Sequence, residues 1–188
     1  GRAAAALHGA AFIDDDSPIE VIGHSRRPRP GVIVRSEGIA DDETTTVAGL
    51  TITTPTRTAL DLARHLPRTR SVAHLDALAA ATGVDPSSVL SLAARYPGAR
   101  GIRRARQRVA LLDPGAQSPR ESWLRLLLID AGFPRPQTQI RVAGPFRTAF
   151  VDMGWEDVRI GAEYDGDHHL SDRRQFVTDI GRHEFLAG

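Results

Sequence analysis

The sequence predicts an α/β chain of the α+β kind: an α-β-β-β-α domain preceded by a small mixed domain of a hairpin and helices. Three observations carry this. Cap-plus-proline signatures recur at Thr54-Pro55, Asp85-Pro86 and Ser118-Pro119 and open three helices. Short β-rich runs with Gly and Pro turns between them fill both halves. The turn Asp113-Pro114-Gly115 divides the two halves, giving domains of 1–112 and 113–188.

Arg2–Ala10 is alanine-rich and reads as the end of a helix stopped at Gly9. Ile19–Gly23 and Gly31–Arg35 flank an Arg/Pro turn, His24–Pro30, and predict a hairpin. Leu50–Thr53 is a third strand leading into Thr54, the N-cap of a helix that runs to about Leu66. A further helix covers Ser71–Thr82 and ends at Gly83, and another runs from Pro86 to about Tyr96.

In Gly98–Leu112 the apolar residues Ile102, Ala105, Val109 and Leu112 form one helical stripe, with Arg100, Arg103, Arg104 and Arg108 opposite. These four arginines are candidates for DNA phosphate contacts; a solvated charged face is the plain alternative. His24–Pro30 is either a second basic DNA contact or an exposed loop. Few aromatics accompany either patch, which argues against base stacking.

The second half opens with Ser118-Pro119-Arg120-Glu121, an N-cap, a proline and an acid at N3, predicting a helix to Gly132. Gln137–Val142, Thr148–Met153 and Val158–Tyr164 read as strands, and Arg173–Leu186 as a closing helix.

All 24 basic residues among the 188 are arginine, against 23 acids, for a net charge of +1. The absence of lysine points to a GC-rich source and excludes any mechanism built on a catalytic lysine. The absence of cysteine excludes disulfides, thiolate metal sites and cysteine nucleophiles. No apolar run reaches the roughly 18 residues of a membrane span, so no membrane is expected and the cytoplasm is the default location. A start at Gly1 and a stop just after the last helix suggest a fragment.

Chemistry-bearing residues concentrate late in the chain. Asp152 ends one strand (TAFVDMGW), and Glu163 and Asp165 end the next (RIGAEYDGDHH), followed by His168 and His169. Neighbouring strands would set Asp152 beside Glu163, and a period of two would put Glu163 and Asp165 on one face. Carboxylates crowded in this way repel each other unless a cation neutralises them, and Mg²⁺ or Mn²⁺ suits such oxygen ligands. A metal-bound water would be the nucleophile, with His168 or His169 as acid/base. An ordinary turn also explains Asp165-Gly166-Asp167, and a capping box also explains Glu121.

SPRESWLRLLL, TAFVDMGW, RIGAEYDGDHH and the Arg-rich helix after them resemble the restriction-endonuclease-like PD-(D/E)XK superfamily, in its very-short-patch-repair-like branch of mycobacterial endonuclease-domain proteins. The resemblance covers about Ser118 to Gly188. It implies Glu121 as the helix acid, Asp152 and Glu163 as metal ligands, Asp165 at the third motif position and His169, beside His168, as the motif histidine. Two departures stand out. Asp165 occupies the superfamily's lysine position, and the further strand that this group carries does not follow before Gly188.

AAAALHGA, the IEVIG/GVIVR pair and LTITTPTRTALDLAR resemble the middle of AbiEi-type proteins, antitoxin-like transcriptional regulators with a winged helix further upstream. A well-capped helix is the plain alternative for TPTRTALDLA. The leading expectation is therefore a divalent-metal-dependent DNA endonuclease or nickase, docked on DNA by its first half. The alternative is a catalytically inactive antitoxin-like DNA-binding transcriptional regulator, and a protein-interaction module stands third. Expected partners are DNA, a second copy of the chain, and a toxin or repair protein.

Overall fold

A computed structural model describes residues 1–23, 29–144 and 148–165. The chain is mixed α/β, and it divides into two compact units, Gly1–Ser122 and Trp123–Gly188. The expected closing helix, Arg173–Leu186, lies outside the described residues, as do most of His24–Pro30 and both His168 and His169.

The first unit is organised around one helix. After α1 (Arg2–Leu7), the strands β1 (Ile19–Ile22), β2 (Val32–Arg35), β3 (Thr44–Val47) and β4 (Leu50–Thr53) precede α2 (Pro55–His65). Then follow α3 (Arg68–Thr82), α4 (Pro86–Ala94) and α5 (Ile102–Val109). Helix α2 starts where its signature places it. Thr54 accepts the Arg57 N–H at 3.3 Å, and Pro55 occupies the first helical position, where a missing N–H costs nothing. Asp85 caps α4 in the same way, accepting from the Ser87 and Ser88 amides at 2.8 and 3.0 Å.

Every residue of α2 from Arg57 to Arg64 is buried. Ala59, Leu60, Leu62 and Ala63 pack with Leu75 and Leu78 of α3, Val89 and Leu92 of α4, and Ile102, Ala105 and Val109 of α5. Each fully buried leucine contributes about 1.5–3 kcal/mol. The predicted stripe of α5 is thus the face that meets the core, and Leu112 just beyond the helix joins it.

Three elements differ from expectation. β1 and β2 pair in parallel, Ile19 opposite Val32 and Ile22 opposite Arg35, rather than as a hairpin. The Ile19 N–H donates to the Gly31 carbonyl at 2.8 Å and the Gly23 N–H to the Arg35 carbonyl at 3.0 Å. β-rich composition carries no direction. The connection between the strands is longer than the two to five residues typical of hairpins, and long enough to retrace a four-residue strand. The hairpin lies instead at β3–β4, whose two-residue loop Ala48-Gly49 has positive φ at both positions (49° and 78°), as a type I′ turn requires. Helix α3 begins at Arg68, one residue after Pro67, earlier than the expected Ser71.

The division between units falls within α6 (Pro119–Asp130), beyond the Asp113-Pro114-Gly115 turn. Asp76 of α3 explains why. Its buried carboxylate accepts the Asp113 N–H and the Ser122 hydroxyl, each at 2.7 Å, and so ties the turn and the first turns of α6 to the first unit.

In the second unit β5 (Gln137–Ala143), β6 (Thr148–Trp155) and β7 (Ile160–Ala162) form an antiparallel meander in the order β5-β6-β7. Val151 and Met153 of β6 are buried, and Asp152 between them points to the opposite face. Gly154 permits the close approach of β7: a Cβ there would stand 2.2 Å from the Ile160 carbonyl oxygen.

Candidate functional site

The first unit contains a buried ion network that sequence reading missed. On α2, Arg57, Asp61 and Arg64 recur at i, i+4 and i+7, one polar stripe on a buried helix. Arg57 Nε bonds both Asp61 oxygens at 3.1 and 3.2 Å, and its Nη1 donates to the Glu43 carboxylate and to the Gly38 carbonyl. The ring of Tyr96 lies 5.4 Å from the same guanidinium. Arg64 Nη1 donates to Glu37 at 2.7 Å, and its Nε donates to the Arg100 carbonyl at 3.1 Å. His65 Nε2 lies 3.2 Å from the other Glu37 oxygen. The signal for this network was present in TPTRTALDLARH, whose charged residues repeat at helical spacing, but nothing local says that the polar stripe is buried.

Burial sets the electrostatics. Desolvation pushes the Asp61 carboxyl up, against the pull of Arg57. Desolvation acts in the same sense on Glu37, but there the hydrogen bond and charge of Arg64 prevail and hold its carboxyl below the usual range. Burial, aided by the charges of Arg35 and Arg64, lowers His65 to about 4, so it is neutral at pH 7.

Glu37, Asp61 and His65 place ligand-type atoms within 4.8 Å of one another, close enough for a metal ion. Their carboxylates already meet Arg57 and Arg64, with Arg64 Nη1 also 3.4 Å from Asp61. Guanidinium charge therefore fills the role that a cation would take, and the arrangement is that of an ion-pair interior.

The arginines in and just before α5 divide in two. Arg100, Arg103 and Arg104 are exposed, as expected, and Arg106, which the sequence reading passed over, is exposed with them. Arg108 is not on that face. It is buried and donates at 2.7 and 2.6 Å to the carbonyls of Ala63 and Leu66, closing the C-terminal end of α2. As the i+3 neighbour of buried Ala105, it borders the apolar stripe rather than opposing it.

In the second unit, the β6–β7 register pairs Met153 with Ala162, and a further step, beyond the last paired residue, would set Asp152 opposite Glu163. Asp152 Oδ2 accepts the Tyr164 N–H at 3.0 Å, which draws the chain leaving β7 along β6. β7 ends at Ala162, so Glu163 and Asp165 lie past the strand and its period of two does not fix their common face. Among the described residues, Asp152, Glu163 and Asp165 do not form a metal-spaced group of three. Glu121, in the first unit, holds a cap: its N–H donates to Ser118 Oγ at 3.1 Å and its Oε2 accepts the Gln117 N–H at 2.8 Å.

The first unit is thus a mixed α/β domain built around one buried, charge-striped helix, with a basic helix on its outside. Residues 2–113, more than half of the chain, match the model of the AbiEi antitoxin C-terminal domain, and the chain belongs to that family. It is also similar to two curated proteins of Mycobacterium tuberculosis, uncharacterized protein MT2308 of strain CDC 1551 / Oshkosh and uncharacterized protein Rv2248 of strain ATCC 25618 / H37Rv. Each is 34% identical over 167 residues, covering 86% of this chain, so the likeness reaches into the second unit. The chain spans 60% of the length of these relatives. No solved structure matches it. The nuclease resemblance expected over Ser118–Gly188 has no counterpart among these comparisons. Among the described residues no single helix is long and apolar enough to cross a membrane.

Proposed function

We propose that the chain acts without catalysis, as the antitoxin-type part of a DNA-binding transcriptional regulator that answers a partner toxin in the cytoplasm. The observation that carries this is the match of residues 2–113 to the AbiEi antitoxin C-terminal domain. The exposed arginines Arg100, Arg103, Arg104 and Arg106 support it, because a one-signed helix face suits the phosphate backbone. The test is a mobility-shift titration on duplex DNA at several salt concentrations. Replacing Arg100, Arg103 or Arg104 with alanine should weaken binding on all sequences alike and reduce the salt slope by about one each. A protein that ignores duplex DNA at low salt would refute the DNA part of this reading.

A second reading rests on one observation, the β6–β7 register, which continued one residue past the end of β7 would bring Asp152 opposite Glu163. These two carboxylates would hold Mg²⁺ or Mn²⁺, with Asp165 outside metal spacing of them, and such an ion would acidify a bound water for attack on a phosphodiester. The residues fit in part. Asp152 keeps one oxygen clear of the Tyr164 amide, but Asp165 brings a negative charge where the superfamily has a lysine. In this reading His168 or His169 moves the proton, and the Glu121 carboxylate, engaged in its cap, is a structural acid. Calorimetry with Mn²⁺, together with cleavage of supercoiled plasmid by the parent and Asp152→Ala, decides the matter. Metal-dependent nicking that Asp152→Ala abolishes would establish the enzyme, and absent nicking would leave the regulator.

A further inference from the structure

We infer that the first unit carries a pocket for a phosphorylated small molecule of nucleotide size, its phosphate held by Arg100 and Arg104. The pocket has a volume of about 600 Å³ and lies where β2, α2 and the start of α5 meet. That is far more than a bare phosphate needs, and it falls within the range of small-molecule sites.

The wall chemistry selects the ligand. Inside, the charges are already matched. Arg57 is held by Asp61 and Glu43, Arg64 by Glu37, and Arg35 by Glu20 with Nε to Oε2 at 2.7 Å. His65 is neutral at pH 7. Arg100 and Arg104 line the same pocket, and no carboxylate among the described residues pairs with either. Two unmatched guanidiniums on an otherwise compensated wall call for an anion, and the planar fork of each suits phosphate oxygens.

A third, independent feature points the same way. Helix α5 begins at this pocket with Gly101 as its N-cap, and no side-chain oxygen caps it; its first amide, that of Ile102, donates to the Ala99 carbonyl at 3.1 Å, and the amides that follow face no side-chain cap. An open helix N-terminus favours negative charge. Gly101 cannot be exchanged for a capping serine or aspartate without strain, since φ is +84° and a Cβ would stand 2.8 Å from the Arg64 carbonyl oxygen. The local packing therefore keeps a side-chain cap away from that end of the helix. Val34, Ala99 and Tyr96 supply the less polar wall against which the remainder of the ligand would lie.

The pocket is separable from the DNA reading. Isothermal titration with ADP, adenosine and inorganic phosphate, in the absence of DNA, reads it directly. ADP should bind saturably, adenosine at least about tenfold more weakly, and the double variant Arg100→Ala/Arg104→Ala should lose at least about tenfold in affinity for ADP. Arg103→Ala, which lies outside the pocket, should bind ADP as the parent does. Circular dichroism of each variant establishes that it is folded. ADP that fails to bind at millimolar concentration would overturn the proposal, as would equal binding of ADP by the folded double variant. A double variant that loses only duplex DNA, with no ADP bound by the parent, would assign both arginines to the DNA face and overturn it too.

Discussion

Arg57 and Asp61 sit one turn apart on a helix that is buried throughout its middle, with Nε 3.1 Å from Oδ1 and the arginine side chain 1% exposed. The pair forms the centre of a network that also takes in Glu43, Glu37, Arg64 and Tyr96. Removing one member of such a set strands the others away from water. Arg57→Ala should therefore cost about 3–5 kcal/mol, and Arg57→Lys should recover only part of it, because an ammonium cannot serve Asp61, Glu43 and Gly38 from one plane. Urea denaturation measures both, and a loss below about 1 kcal/mol for the alanine variant would show that the network is not stabilised by Arg57.

His74 of α3 is 6% exposed, and its Nδ1 has no hydrogen-bond partner among the described residues. Burial, with the charges of Arg2 and Arg70, lowers it to about 4. The unfolded chain binds a proton near pH 6.5 and the folded one does not, so stability is complete above that pH and falls as the pH drops from about 6.5 to about 4. At pH 5 the loss from this one residue is on the order of 2 kcal/mol. Denaturation midpoints at pH 7.5 and 5 should differ in this direction, and a His74 resonance that titrates near 6.5 in the folded protein would contradict the expectation.

Gly101 joins the end of α2 to the start of α5. Alanine there meets both a left-handed backbone at φ +84° and the Arg64 carbonyl at 2.8 Å, so Gly101→Ala should destabilise the first unit by about 1–3 kcal/mol. Thermal unfolding of parent and variant provides the comparison. An unchanged midpoint would mean that the helix ends move apart freely.

Ser118 caps α6 through the Glu121 amide. Ser118→Ala should lose about 1 kcal/mol, while Ser118→Asp should retain most of the stability because its carboxylate can accept the same bond. If both variants lose equally under denaturant, the cap is not the source of the effect.

Much of the helical framework was legible because its causes are local. Thr54-Pro55, Asp85-Pro86 and Ser118-Pro119 each satisfy or remove amide donors within four residues, so the chain announces those starts whatever surrounds it. The stripe Ile102, Ala105, Val109 and Leu112 was legible for a similar reason, since helical period alone assigns a face. Arg108 was misplaced because a position on the border of that stripe is decided by what packs there, here two open carbonyls of α2. The β1–β2 pair went wrong because composition marks a strand but not its direction. The β3 strand was passed over, although Ala48-Gly49 between two threonine-rich runs is a two-residue hairpin signal. The pairing of β6 with β7 was legible because adjacent strands of a meander pair antiparallel, whereas β7 stops at Ala162, short of Glu163.

The sequence by itself determined where helices begin, which faces are apolar, and that no lysine or cysteine chemistry is available. Those properties depend on bonds within a turn or on residue type. Only the tertiary structure decided that the charges of TPTRTALDLARH face inward and that β1 runs parallel to β2. It also decided that no carboxylate among the described residues pairs with Arg100 or Arg104, beside a pocket whose other arginines are paired. The physical reason is the same in each case. A guanidinium is indifferent to its place on a helix until distant carboxylates and carbonyls arrive, and their arrival is set by the packing of elements far apart in the chain.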